Sequence, residues 1–299
     1  MRRDWHLADL ALLALLATLW GASYTFIKLG VETIPPVTLI AARTTIAAAV
    51  LLGVLRWRGI ALPTDPAVWR RFLFQACLNS VIPFTLIAWA EQSVDAGLAT
   101  ILNSSAPIFT FVLSWLLARE QSVTGRQLFG VVSGMIGICL IVGVQALAGI
   151  GQQLAAQLAI VVATICYAGA ATFGRSFQDL DPMLPATGSL FCGALVLVPI
   201  SLVVDHPWTL APSGRSVVAL ICLSVFSTAL AFTIYFRLID TLGSVGTTSQ
   251  SYLRVPIGAA IGVAFLGEVV ASTTLIGLAF VVAGVASMTI PVNASPQER

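Results

Sequence analysis

Charge is what this chain has least of. Charged residues make up 9% of its 299 positions, against about 25% in a soluble globular domain. No Asp or Glu falls in the middle of a long apolar run, so the usual carboxylate of a proton-coupled membrane site is missing. Glu91, at the edge of one run, is the nearest candidate. The only two histidines, His6 and His206, lie outside the apolar runs, which leaves no HExxH and no metal-ligand cluster. There is no glycine-rich phosphate cradle, so ATP is not expected to drive the protein directly. There is also no basic run of the kind that tracks nucleic-acid phosphates. The five cysteines form no CxxC and read as small buried hydrophobes. No cofactor or metal is implied. The absence of a nucleophile–base pair argues against the rival class, an intramembrane enzyme acting on lipid.

What is abundant is apolar length. Hydrophobic residues make up 58% of the chain, and mean hydropathy is +0.96. A membrane-spanning helix needs about 20 such residues. Ten segments qualify: 9–29, 36–56, 70–89, 96–118, 124–144, 155–175, 183–204, 216–236, 243–267 and 272–290. Arg2-Arg3 before Leu10–Ala17 has the outline of a signal peptide, but the apolar run continues to Leu29, so it reads as the first span. The expected fold is an all-α polytopic membrane protein, with the lipid bilayer as its surroundings. Arg2, Arg3, Arg56, Arg58, Arg70, Arg71, Arg119, Arg126, Arg175, Arg237 and Arg299 all fall on one side, against Arg215 and Lys28 on the other. By the positive-inside rule both termini are expected in the cytoplasm.

Polar residues interrupt some of these spans. In Asn103-Ser104-Ser105-Ala106-Pro107, Pro107 has no amide hydrogen to give the Asn103 carbonyl. In Thr248-Ser249-Gln250-Ser251-Tyr252-Leu253-Arg254-Val255-Pro256, the second proline does the same to Tyr252. Asn79 and Pro83 repeat the device in the third span. Asn79, Pro83, Asn103, Ser104, Gln250, Ser251 and Tyr252 are therefore candidate cargo-binding groups. The alternative is that the serines bond their own i−4 carbonyls and assist helix packing. Arg254 lies about 16 Å into its span, where it must face a cavity or a partner. It either receives an anionic group of the cargo or is satisfied structurally by backbone carbonyls. Arg43 is also embedded and Lys28 ends the first span; both read as gating or structural charges able to snorkel. Trp20, Tyr24, Phe84, Trp89, Trp115, Tyr167, Phe232 and Tyr235 are candidate cavity walls or lipid-facing aromatics. Trp5, Trp57, Trp69 and Phe72 fit an interfacial belt. Gly130, Gly134 and Gly137, and the pair Gly258 and Gly262, suit close helix packing. Packing within a monomer is the expectation, with dimerisation open.

The chain repeats at an offset near 147 residues. Trp20 aligns with Tyr167, Lys28 with Arg175, Pro36 with Pro182, and Cys77-Leu78 with Cys222-Leu223. Pro107 and Glu120 align with Pro256 and Glu268, and Gly130 and Gly137 with Gly277 and Gly284. This divides the chain at 1–148 and 149–299. Each half holds five spans, an odd number, so the second is expected to enter the membrane inverted. Paired polar interruptions in inverted halves point to a transport site at the bilayer midplane.

Trp20-Gly21-Ala22-Ser23 with Lys28, and Leu266-Gly267-Glu268, carry a resemblance to the drug/metabolite transporter superfamily. Within it, the two five-span halves resemble the EamA-type ten-helix exporters, and among those the YddG-type exporters of aromatic and other amino acids. The first half departs from the pattern, with Ala118-Arg119-Glu120 where the second has Leu266-Gly267-Glu268. The resemblance implies a cavity lined by spans 1, 3, 4, 6, 8 and 9, with 5 and 10 as scaffold. It implies a secondary transporter of a bacterial-type inner membrane that exports amino acids or similar small metabolites by alternating access. A nucleotide-sugar or multidrug cargo is the alternative within the superfamily.

Overall fold

A computed structural model describes residues 2–90, 92–94, 102–117, 125–142, 153–254, 257 and 272–289. The described residues are helical, with no strand among them. Their α-helices are, in order, α1 (Arg2–Val31), α2 (Pro36–Trp57), α3 (Pro66–Ala76), α4 (Ile82–Ala90), α5 (Ala106–Leu117), α6 (Gly125–Val142), α7 (Leu154–Gly174), α8 (Met183–Val204), α9 (Gly214–Ser224), α10 (Ala231–Thr248) and α11 (Ser272–Thr289). Among the described residues, six stretches are long and apolar enough to cross a bilayer: Leu7–Val31, Pro36–Trp57, Pro66–Ala90, Leu154–Phe177, Met183–Val204 and Gly214–Thr248. Shorter apolar helices cover Ala106–Leu116, Gly125–Leu140 and Ile276–Met288. The outward surface carries Leu73, Phe74, Trp89, Trp115, Phe129 and Phe226. Apolar exposure on this scale suits hydrocarbon and not water.

Helix starts follow local chemistry. Pro36 occupies the first turn of α2, where its missing N–H costs nothing. The Asp65 carboxylate accepts from the Ala67 amide at 2.8 Å and caps α3. The Ser213 hydroxyl accepts from the Ser216 amide at 3.2 Å and caps α9.

Two joins widen into π-turns. Residues Cys77–Val81 link α3 to α4, and Val225–Leu230 link α9 to α10. In the first, the Ile82 amide reaches back five residues to the Cys77 carbonyl. The break expected from Pro83 thus falls at a wider turn. No proline explains the second. There the Thr228 hydroxyl donates to the Leu223 carbonyl, five residues back, at 2.8 Å. Within α10, Gly243 stands at the non-helical φ 72° and ψ 178° and kinks the helix. A side chain is strained at that φ, so glycine is needed here.

The helices interleave. α2 packs on α8, α6 on α11, α1 on α9 and α10, α4 and α5 on α7, and α3 on α8. α6 and α11 meet through glycine. A methyl added at Gly130 would come within 2.7 Å of the Gly284 carbonyl oxygen, and one at Gly137 within 2.6 Å of the Gly277 carbonyl oxygen. The glycine stripe is thus used inside the chain; Gly258 and Gly262 lie outside the described residues. Phe72 does not join an interfacial belt. It is fully buried, with its ring against Gly188 and Phe177.

Candidate functional site

A cavity lies among these helices. α1 contributes Trp20, Ser23 and Ile27, spaced to share one face. Arg43 enters from α2. Asn79 comes from the first π-turn, and Phe84 and Ile87 from α4. Asn103 and Ala106 stand at the start of α5, and Tyr167 on α7. Phe232, Tyr235 and Thr248 come from α10, and Gln250, Ser251 and Arg254 from the helical turn after Gly243.

Both arginines lie against aromatic rings. The Arg43 guanidinium carbon sits 3.8 Å from the centroid of Phe84, and that of Arg254 lies 5.4 Å from Trp20. Arg43 Nε donates to Thr228 Oγ1 at 2.6 Å, so the second π-turn positions this charge. Arg254 Nε donates to Gln250 Oε1 at 2.9 Å, and Gln250 Nε2 donates to Ser251 Oγ at 3.1 Å. Rings join the two cations: Trp20 meets Phe232 edge-on at 6.3 Å, and Phe232 meets Phe84 at 6.2 Å. Tyr235 stands 5.5 Å from Trp20, and Tyr167 stands 6.4 Å from Phe84. The wall therefore offers two guanidinium groups at either end of a run of aromatic surface, with amides and hydroxyls between. Such a surface can hold an anionic or hydrogen-bonding head and stack an apolar body.

Of the residues singled out in the sequence, Trp20, Asn79, Phe84, Asn103, Tyr167, Phe232, Tyr235, Gln250, Ser251 and Arg254 line this cavity. Arg43, read as a gating or structural charge, lines it too. Others point elsewhere. Tyr252 is fully buried and donates its hydroxyl to the Val131 carbonyl at 3.0 Å, with its ring seated on Gly134. Two residues past Gln250 lies the far side of a helix, which explains the miss. Ser104 is buried and donates to the Ser251 carbonyl at 3.4 Å instead of facing the cavity. Pro83 is buried within the α4 packing and shapes the π-turn only. Trp89 is 49% exposed and Trp115 66% exposed, both on the outer surface. Lys28 is exposed at the end of α1, away from the cavity. The side chain of Tyr24, and residues Glu91, Glu120, Pro256 and Glu268, lie outside the described residues.

The helix carrying Asn103 breaks where expected. Ser104 and Ser105 form a turn, and the Ile108 amide bonds the Ser105 carbonyl at 2.9 Å. Sequence reasoning missed Ser23, Ile27, Ile87, Ala106 and Thr248 as lining residues, and Thr228 as the partner of Arg43. Ser23 and Ile27 could have been found, lying three and seven residues beyond Trp20 on one α-helical face. Thr228 could not, because a π-turn sets its direction.

An all-helical chain with a lipid-facing exterior and a polar, arginine-bearing cavity at its centre has the build of a membrane transporter. It belongs to the EamA-like transporter family, whose profile matches residues 9–143 and again residues 154–290. Curated relatives share its length. The uncharacterized inner membrane transporter YedA of Escherichia coli (strain K12) is 25% identical over 274 residues, covering 91% of this chain and 87% of that protein. A probable terminal-alkyne amino-acid exporter of Streptantibioticus cattleyicolor is 25% identical over 283 residues, covering 91% of this chain and 90% of that protein. Protein PecM of Dickeya dadantii is 25% identical over 232 residues, covering 77% and 76%. A solved crystal structure superposes with a TM-score of 0.77 over 97% of this chain and 99% of its own, at 16% identity, a likeness of fold.

Proposed function

We propose that this transporter exports amino acids or similar small metabolites across a bacterial inner membrane, by alternating access through the cavity that holds Arg43 and Arg254. One observation carries the reading. Two cations, three amides and five aromatic rings from α1, α2, α4, α5, α7 and α10 and the turns beside them converge on one space. An apolar helix bundle has no structural need for such a collection, since each polar group costs free energy unless a partner meets it. The name of the Streptantibioticus relative favours an amino-acid cargo, and that of YedA favours the inner membrane.

The architecture we propose is ten spans in two inverted halves, 1–148 and 149–299, with both termini cytoplasmic. Its support is the pairing of contacts. Under an offset of 147, Gly130 corresponds to Gly277 and Gly137 to Gly284. Close approaches join Gly130 to Gly284 and Gly137 to Gly277, the reciprocal pattern of a two-fold axis. Ser133 donates to the Phe280 carbonyl, 147 positions on, at 2.8 Å. The packing of α1 on α10 likewise mirrors that of α7 on α4. Use of the glycine stripe within the chain supports a monomer. Counterflow in proteoliposomes with a panel of labelled amino acids and related metabolites tests the function. Saturable exchange of at least one that falls in Arg254→Gln supports it, and continuous ionic conductance in its place would remove it.

A further inference from the structure

The described lining of the cavity carries two positive charges, Arg43 and Arg254, and no carboxylate. Donor capacity in it is also unspent. Asn79 is 2% exposed and its side-chain amide nitrogen has no partner; Tyr235 is 3% exposed and its hydroxyl has none either. Both line the cavity. A buried donor left unmet is costly, and such groups are ordinarily satisfied. Two of them facing one space that also holds two guanidinium groups indicate that the missing partner is an acceptor brought by the cargo. Two acceptors in the wall are engaged: Gln250 Oε1 takes the Arg254 bond and Ser251 Oγ the Gln250 bond. Trp20 and Phe84, the rings best placed to greet an ammonium, already carry the two arginines. An α-ammonium entering this space would meet two like charges and no counter-charge among the described residues.

We infer that the cavity selects a small organic anion, a carboxylate of net negative charge, over the zwitterion or the amine built on the same skeleton. The carboxylate oxygens take the Asn79 and Tyr235 donors and the field of the arginines, and the apolar body lies along Trp20, Phe232 and Phe84. This rests on the reading of the cavity as the transport site, and narrows its cargo to the deaminated or N-acylated relatives of amino acids.

The test uses skeletons carried at three charges: phenylpyruvate, phenylalanine and phenethylamine, and pyruvate, alanine and ethylamine. Counterflow in proteoliposomes and ligand-induced thermal stabilisation of the purified protein are measured for each. The 2-oxo acid is expected to exchange at least about tenfold faster than the amino acid of its set, the amine not at all, and Arg254→Gln to erase most of that gap. If Arg254→Gln does not fold, the stabilisation series on the unaltered protein still ranks the three charges. Exchange of phenylalanine or alanine at or above the rate of its 2-oxo acid would overturn the anion preference and leave the transport-site reading standing. No exchange and no stabilisation by any of the six would count against both.

Discussion

Ser104 donates its hydroxyl to the backbone carbonyl of Ser251, and the two lie 147 positions apart. That is close to the offset at which the chain's landmarks repeat, so under the proposed repeat the contact joins corresponding stretches of the two halves. Such a contact is expected near an axis relating the proposed halves. It lies one residue from Asn103 and beside Gln250, both in the cavity wall. The proposed symmetry axis and the proposed transport path therefore run together, as expected for a carrier that rocks about its site.

Orientation gives the first prediction. Trp57, 87% exposed at the end of α2, and Trp208, 68% exposed between α8 and α9, are expected on opposite sides of the membrane. In a cysteine-free background, a membrane-impermeant maleimide should label Trp208→Cys in intact cells and Trp57→Cys only after lysis. Equal labelling of both in intact cells would reject the topology.

The seat of Tyr252 gives a second. A methyl at Gly134 would fall 2.2 Å from the Tyr252 ring. Gly134→Ala should lower stability by about 1–3 kcal/mol. Combining it with Tyr252→Leu, which clears the space, should cost less than the sum of the two single changes. Simple additivity in thermal melts would show that the two do not touch.

How much of this was readable beforehand depends on helix rotation. Gln250 and Arg254, four apart, share a face, and both line the cavity. Tyr252 between them was assigned with them, although two residues' rotation turns it toward α6. Asn79 and Phe84 are five residues apart and both reach the cavity, a spacing that no α-helical pattern gives and a π-turn does. Asn103 was legible because three adjacent polar residues in an apolar run demand an explanation. Its neighbour Ser104 was not separable from it without the fold. Arg43 gave away its depth but not its partner, since Thr228 lies 185 positions on.

Tyr235 separates binding from folding. Its hydroxyl is buried and without a hydrogen-bond partner, so Tyr235→Phe removes a burden from the empty protein. Stability should be unchanged or raised by about 1–3 kcal/mol, while cargo affinity falls. A thermal melt and a counterflow competition curve check the two halves of the prediction. A loss of stability would mean that the hydroxyl is already satisfied.

Asp205 ties α8 to the start of α2. Its Oδ2 accepts from the Thr38 amide and the Thr38 hydroxyl, each at 2.8 Å, and so caps a helix from another part of the chain. Asp205→Ala should cost about 1–2 kcal/mol, and Asp205→Asn less. Equal melting temperatures for all three proteins would deny the cap.

The π-turns also bear on how these helices tolerate length change. A π-turn holds one residue more than the α-helix around it requires. Deleting a single residue from 78–80 would let α3 run into α4 as an α-helix, lacking only the bond that the Pro83 nitrogen cannot give. The helix beyond would keep its phase, so Phe84 would stay under Arg43, while Asn79, which stands in the turn, would lose its place at the cavity. The chain would keep its spans and its rings and lose a donor, so such a deletion should change cargo binding and not the fold.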